Sequence, residues 1–139
     1  MIAEAVLTLL LAVFPRGMGA DYVRVHREEI AHVAGDAATA HGVPVPVLVS
    51  VAWYESRVGA DPAAYGGWGA PRDRLHRHEA GTADHAASAL ALGLRQCGSW
   101  SGAVAHFRSG LCRPWQPTHR QYVANVMHLV DRITPEPQS

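Results

Sequence analysis

The chain has 139 residues, 48% hydrophobic and 17% charged, which supplies one domain with its own core and excludes disorder over most of its length. Twelve basic residues, every one an Arg, balance twelve acidic ones. That neutrality argues against a nucleic-acid binder, which works by neutralising phosphates.

The one sustained apolar run, residues 5–14, falls short of the ~20 residues that cross a bilayer as a helix, so no stable membrane insertion is expected. It has the length of the apolar part of an export signal, and Gly17 and Gly19 suit cleavage before Ala20. Residues 1–19 are therefore read as a signal peptide, and the protein as exported to the periplasm or the cell exterior. Glu4, and the absence of any Arg or Lys before the run, speak for the alternative of a first helix packed on the domain. The domain proper spans residues 20–133, and the polar, Pro-rich residues 134–139 are expected to fray.

Helices separated by Gly and Pro fill the remainder, with no alternating strand pattern. The first starts after Asp21 and runs to about Ala40, burying Val23, Ile30, Val33, Ala34 and Ala37 before Gly42 stops it. A second begins near Pro46 and continues to Glu55-Ser56; it is apolar on nearly every side and so belongs in the middle of the domain. Residues 59–81 form a long loop rich in Gly, Pro, Asp, Arg and His, and such loops on compact domains often carry function. Thr82 caps a third helix, with Ala86, Ala89, Leu90, Ala91 and Leu94 inward and Cys97-Gly98 at its end. A short helix from about Ser101 to Arg108 follows, then a turn around Trp115. The last helix carries Tyr122, Val126, Leu129, Val130 and Ile133 on one face.

Cys97 and Cys112 are the only cysteines, and they form neither a redox nor a zinc pattern. In an exported protein they close a disulfide loop; otherwise they are two buried thiols. His76, His78 and His85 are too loosely spaced, and too close to Arg72, Arg74 and Arg77, to suggest a metal site. No cofactor is implied.

Glu55 is the chemical focus. It closes a helix whose neighbouring positions, Leu48, Val51 and Ala52, are apolar, and both the loss of hydration and the negative end of the helix dipole disfavour a charged carboxylate there. A carboxylic acid that keeps its proton is what glycosidic cleavage asks of a general acid. By helix logic alone, Glu55 equally marks the point where the helix reaches solvent.

The segment Gly42-Val43, an apolar helix, then Glu55-Ser56 resembles the opening motif of lytic transglycosylases related to goose-type lysozyme. The Ala-rich helix from His85 to Leu94, Trp100, the stretch from Ala103 to Gly110, and Tyr122-Val123 follow the order of that family. The resemblance covers about two-thirds of the chain. It implies an all-α, lysozyme-like single domain with a substrate groove. Glu55 becomes the single catalytic acid/base and Tyr122 its neighbour, although the apolar stripe alone makes Tyr122 a core residue.

Two regions depart from the family. The usual Gly-Leu-Met-Gln is replaced by Gly66-Gly67-Trp68-Gly69-Ala70-Pro71, and Ala-Tyr-Asn-x-Gly by His106-Phe107-Arg108-Ser109-Gly110. The expected sugar contacts are accordingly Ser56, Tyr65, Trp68, His106, Phe107 and Tyr122. Ser56 orients Glu55 or caps the helix. Tyr65 and Trp68 stack on sugar rings or pack the loop.

The reaction implied is cleavage of the MurNAc–GlcNAc bond of peptidoglycan to a 1,6-anhydro product by a monomer acting on glycan strands. If Asp61 or Asp73 positions a water, the enzyme is a hydrolytic lysozyme instead. The altered motifs leave a non-catalytic peptidoglycan-binding module as a further alternative.

Overall fold

The computed structural model describes residues 2–61, 68 and 80–136, with Ala80 and Gly81 placed by backbone only. These residues form seven helices and, among the described residues, no strand: α1 (Ile2–Val13), α2 (Met18–Val25), α3 (Arg27–His41), α4 (Val45–Ser56), α5 (Ala80–Cys97), α6 (Trp100–Ser109) and α7 (Arg120–Ile133). No described helix is long and apolar enough to cross a membrane.

α4 is the axis of the fold. Pro44 precedes it in extended conformation and Pro46 occupies its first turn, where a missing N–H costs nothing. Its residues from Val45 to Trp53 are all buried, and it is surrounded by α1, α3, α5 and α7. A helix apolar all round is stable only when neighbours cover every side.

The sequence led us to expect one helix from Asp21 to Ala40, but the structure has two, meeting at His26. The expected stripe is nonetheless buried throughout, and Gly42 ends α3 with φ +67°. α5 starts at Ala80, so Thr82 is a buried residue inside its first turn rather than its cap. α6 is capped by Ser99, whose side chain accepts from the Gly102 N–H at 3.0 Å. On α7 the buried set is Val123, Val126, Leu129 and Ile133, so Val123 joins the stripe while Tyr122 and Val130 lie half-buried.

Residues 2–13 form a helix packed on the domain. Ala3, Val6, Leu7 and Leu10 lie within the core. Glu4 is tied to α3, its carboxylate accepting from Arg27 Nε at 2.8 Å and its carbonyl from Arg27 Nη2 at 3.1 Å. Beyond α1, the Phe14 ring stacks on Trp53 of α4 at 4.7 Å. Arg24 of α2 holds the linker through the Pro15 carbonyl. Gly19 permits α2 to approach the same indole, because a Cβ there would sit 2.6 Å from Trp53 Cη2.

Cys97 and Cys112 form a disulfide across a sequence separation of 15, tying the end of α5 to the connection between α6 and α7. Gly93 brings α5 close to α6: a Cβ there would lie 3.1 Å from the Ala103 backbone.

Candidate active site

Three helix ends converge on Glu55. It lies in the last turn of α4, Arg108 in the last turn of α6 and Tyr122 in the first turn of α7. The Tyr122 hydroxyl donates to Glu55 Oε1 at 2.9 Å, and Arg108 Nη1 stands 3.5 Å from Oε2. The guanidinium carbon of Arg108 also lies 4.7 Å over the Tyr122 ring, a cation–π arrangement that joins the three side chains into one cluster. The Glu55 side chain is 16% exposed and that of Arg108 46%, so the carboxyl is mostly covered while the cation beside it reaches solvent.

The Tyr122 phenol is held well above its ordinary titration range. Burial is the largest cause; the charge of Glu55 and its acceptance of the hydroxyl proton act in the same direction, and Arg108 opposes them. The phenol is thus a standing hydrogen-bond donor to the carboxyl.

The backbone after Glu55 fixes where the carboxyl sits. Arg57 and Val58 both have positive φ, +55° and +59°, a conformation costly for residues with side chains and most of all for a β-branched one. The helix closes through Arg57 N–H to the Trp53 carbonyl at 2.8 Å and Val58 N–H to the Ala52 carbonyl at 3.1 Å. Val58 is buried in the core, and the Arg57 guanidinium lies 5.1 Å from the Trp53 ring centroid. Ser56 is buried and its Oγ accepts from the Gly59 N–H at 2.8 Å, which is the capping role among those expected for it. Asp61 follows directly, its N–H donating to the Ser56 carbonyl at 3.0 Å.

The other expected sugar contacts are distributed unevenly. His106 and Phe107 are half-buried on α6, with Phe107 packed against the core. Trp68 is 0% exposed and belongs to the core. It therefore presents no face for stacking, and its indole N–H finds no hydrogen-bond partner among the described residues. Tyr65 and Asp73 lie outside the described residues, as do His76 and His78; His85 is exposed on α5. Asp84 pairs with His41 of α3 at 2.6 Å. Among the described residues no group of three or more His, Cys, Asp or Glu could hold a metal ion.

Arg108 was not singled out from the sequence as a site residue. The signal available was its place on α6, where it continues the face of the buried Val104 and Ala105 toward the helix end.

The chain matches no known protein family, no characterised protein and no solved structure.

Proposed function

We propose that the chain is a peptidoglycan lytic transglycosylase of lysozyme-like architecture, with Glu55 as its single acid/base and the groove running past the ends of α4, α6 and α7. The observation that carries this reading is the 2.9 Å hydrogen bond from the Tyr122 hydroxyl to Glu55 Oε1. It joins two residues distant in sequence that the family resemblance independently places side by side. The disulfide is compatible with work outside the cytoplasm, where the substrate lies.

In the mechanism, Oε1 is occupied by Tyr122, which leaves Oε2 to carry the proton. Glu55 donates that proton to the oxygen leaving the muramyl C1, as GlcNAc departs. The same carboxylate, now charged, removes the proton from the muramyl 6-hydroxyl as that oxygen bonds to C1. The product is a 1,6-anhydro sugar, no water is consumed, and Glu55 regains its proton.

Hydrolysis is the second reading, favoured by Asp61, whose backbone lies against the C-terminal turn of α4; an Asp there could orient a water. Digestion of purified cell walls by wild type and Glu55→Gln, followed by mass spectrometry of the muropeptides, tests both. We expect 1,6-anhydro ends with wild type and none with the variant. Equal clearing by both proteins would remove Glu55 from its role, and reducing ends alone would convert the enzyme to a lysozyme. A wall-binding module without catalysis would bind and release nothing.

A further inference from the structure

We propose that Arg108 forms an anion subsite beside Glu55, which takes a carboxylate carried by the substrate at the muramyl sugar; this rests on the glycan-cleaving reading above. Its Nη1 stands 3.5 Å from Glu55 Oε2, a distance that makes an ion pair but not a hydrogen bond. The side chain makes no hydrogen bond to any described residue. A guanidinium presents five N–H donors in a planar fork. Here the plane is steadied over the Tyr122 ring at 4.7 Å while 46% of the side chain faces solvent. The fork is thus steadied beside Glu55 with its donors open among the described residues.

The cleaving step changes the charge that stands beside this cation. When Oε2 carries the proton destined for the leaving oxygen, Glu55 is a neutral acid and Arg108 loses the charge it was paired with. A carboxylate arriving with the substrate replaces that charge and suits the guanidinium fork, which binds carboxylates with two parallel hydrogen bonds. A muramyl sugar supplies such a group in two ways. Where the stem peptide is absent, the 3-O-lactyl group ends in a free carboxylate beside the ring that is cut. Where the peptide is present, the lactyl carbonyl is an amide and the carboxylates lie along the stem. The subsite therefore gives the enzyme a means of reading the state of the muramyl side chain, and Arg108 acts as a specificity-determining residue.

The test is calorimetric titration of the full-length wild type with uncleavable GlcNAc–1,6-anhydro-MurNAc in three forms: free lactyl acid, its methyl ester, and the acid extended by L-Ala-D-Glu. The free acid should bind about tenfold tighter than the ester, the scale of one charge-assisted hydrogen-bonded pair. Arg108→Gln should erase that preference, and Arg108→Lys should keep part of it. Circular dichroism checks that the variants are folded. If the peptide form alone shows an Arg108-dependent gain over the ester, the carboxylate read is that of the stem and the subsite still stands. Equal binding of acid, ester and peptide form, equal weakening of all by Arg108→Gln, or no binding of any would overturn the proposal. If wild type leaves glycan strands uncut while the preference persists, the cleaving function fails and the anion subsite survives.

Discussion

Tyr122 donates its hydroxyl proton to Glu55 Oε1 at 2.9 Å, joining the first turn of α7 to the last turn of α4. The bond occupies one carboxyl oxygen and leaves Oε2 facing Arg108. Replacing Tyr122 with Phe removes the donor and keeps the ring under Arg108, so the cluster should lose orientation rather than packing. The expected loss in the rate of glycan-strand digestion is about 10- to 100-fold, matching one hydrogen bond to a charged group. An undiminished rate would show that the hydroxyl has no part in the reaction.

The same phenol gives a pH signature in stability. An unperturbed tyrosine titrates at 10.0, and Tyr122 is held above that, first by burial. Above about pH 10 the unfolded chain releases this proton while the folded chain retains it, so the folded state binds more protons there. The stability it provides is complete below pH 10 and declines as pH rises, by at most about 1.4 kcal/mol per pH unit. Urea unfolding of wild type and Tyr122→Phe between pH 8 and 11 isolates the contribution: the variant should decline less steeply. Parallel curves would contradict it.

The apolar N-terminal helix should be needed for folding. Leu10 is fully buried in the core, and Leu10→Ala should cost about 2–5 kcal/mol in urea unfolding. Removal of residues 1–19 should abolish the cooperative transition, since it uncovers α3, α4 and α7 together. A truncated chain that unfolds at the wild-type midpoint would show α1 to be dispensable.

Gly19 offers a smaller perturbation of the same region. In Gly19→Ala the methyl group meets the rigid Trp53 indole at 2.6 Å, so the helices must separate. The overpacking cost of about 1–3 kcal/mol should exceed the gain of up to about 1 kcal/mol from better helix propensity. A variant more stable than wild type would mean that α2 yields without resistance.

Breaking the disulfide, by reduction or as the Cys97→Ser, Cys112→Ser double variant, should cost about 3 kcal/mol for a loop of this length in the chain-entropy model. Digestion of cell walls should weaken as well, because the bridge anchors the segment that connects Arg108 to Tyr122. An unchanged melting temperature after confirmed loss of the bridge would contradict this.

Much of the fold was legible from local chemistry. Gly42 ended its helix because a left-handed residue was needed there, and the all-apolar α4 could only be central. What escaped was set by partners distant in sequence. The break at His26 is invisible to a stripe that continues across it. Thr82 resembles an N-cap until Ala80 is seen already inside the helix. The run at residues 5–14 satisfies an export signal and a core helix equally, and the pairing of Glu4 with Arg27 is what ties it to the domain. At the site, Glu55 stood out because a carboxylate ended an apolar helix. Arg108 did not, since its meaning depends on Glu55 and Tyr122, neither of which lies near it in sequence. Trp68 could be read as a stacking face or as a packing residue, and only its burial decides between them.

The consecutive left-handed residues Arg57 and Val58 make the position of Glu55 a matter of backbone register. The chain reverses sharply once the carboxyl has been delivered, and the buried Val58 side chain locks that reversal from below. A one-residue insertion between Glu55 and Val58 would therefore displace the lock from its socket and carry the Glu55 carboxyl away from Tyr122 and Arg108.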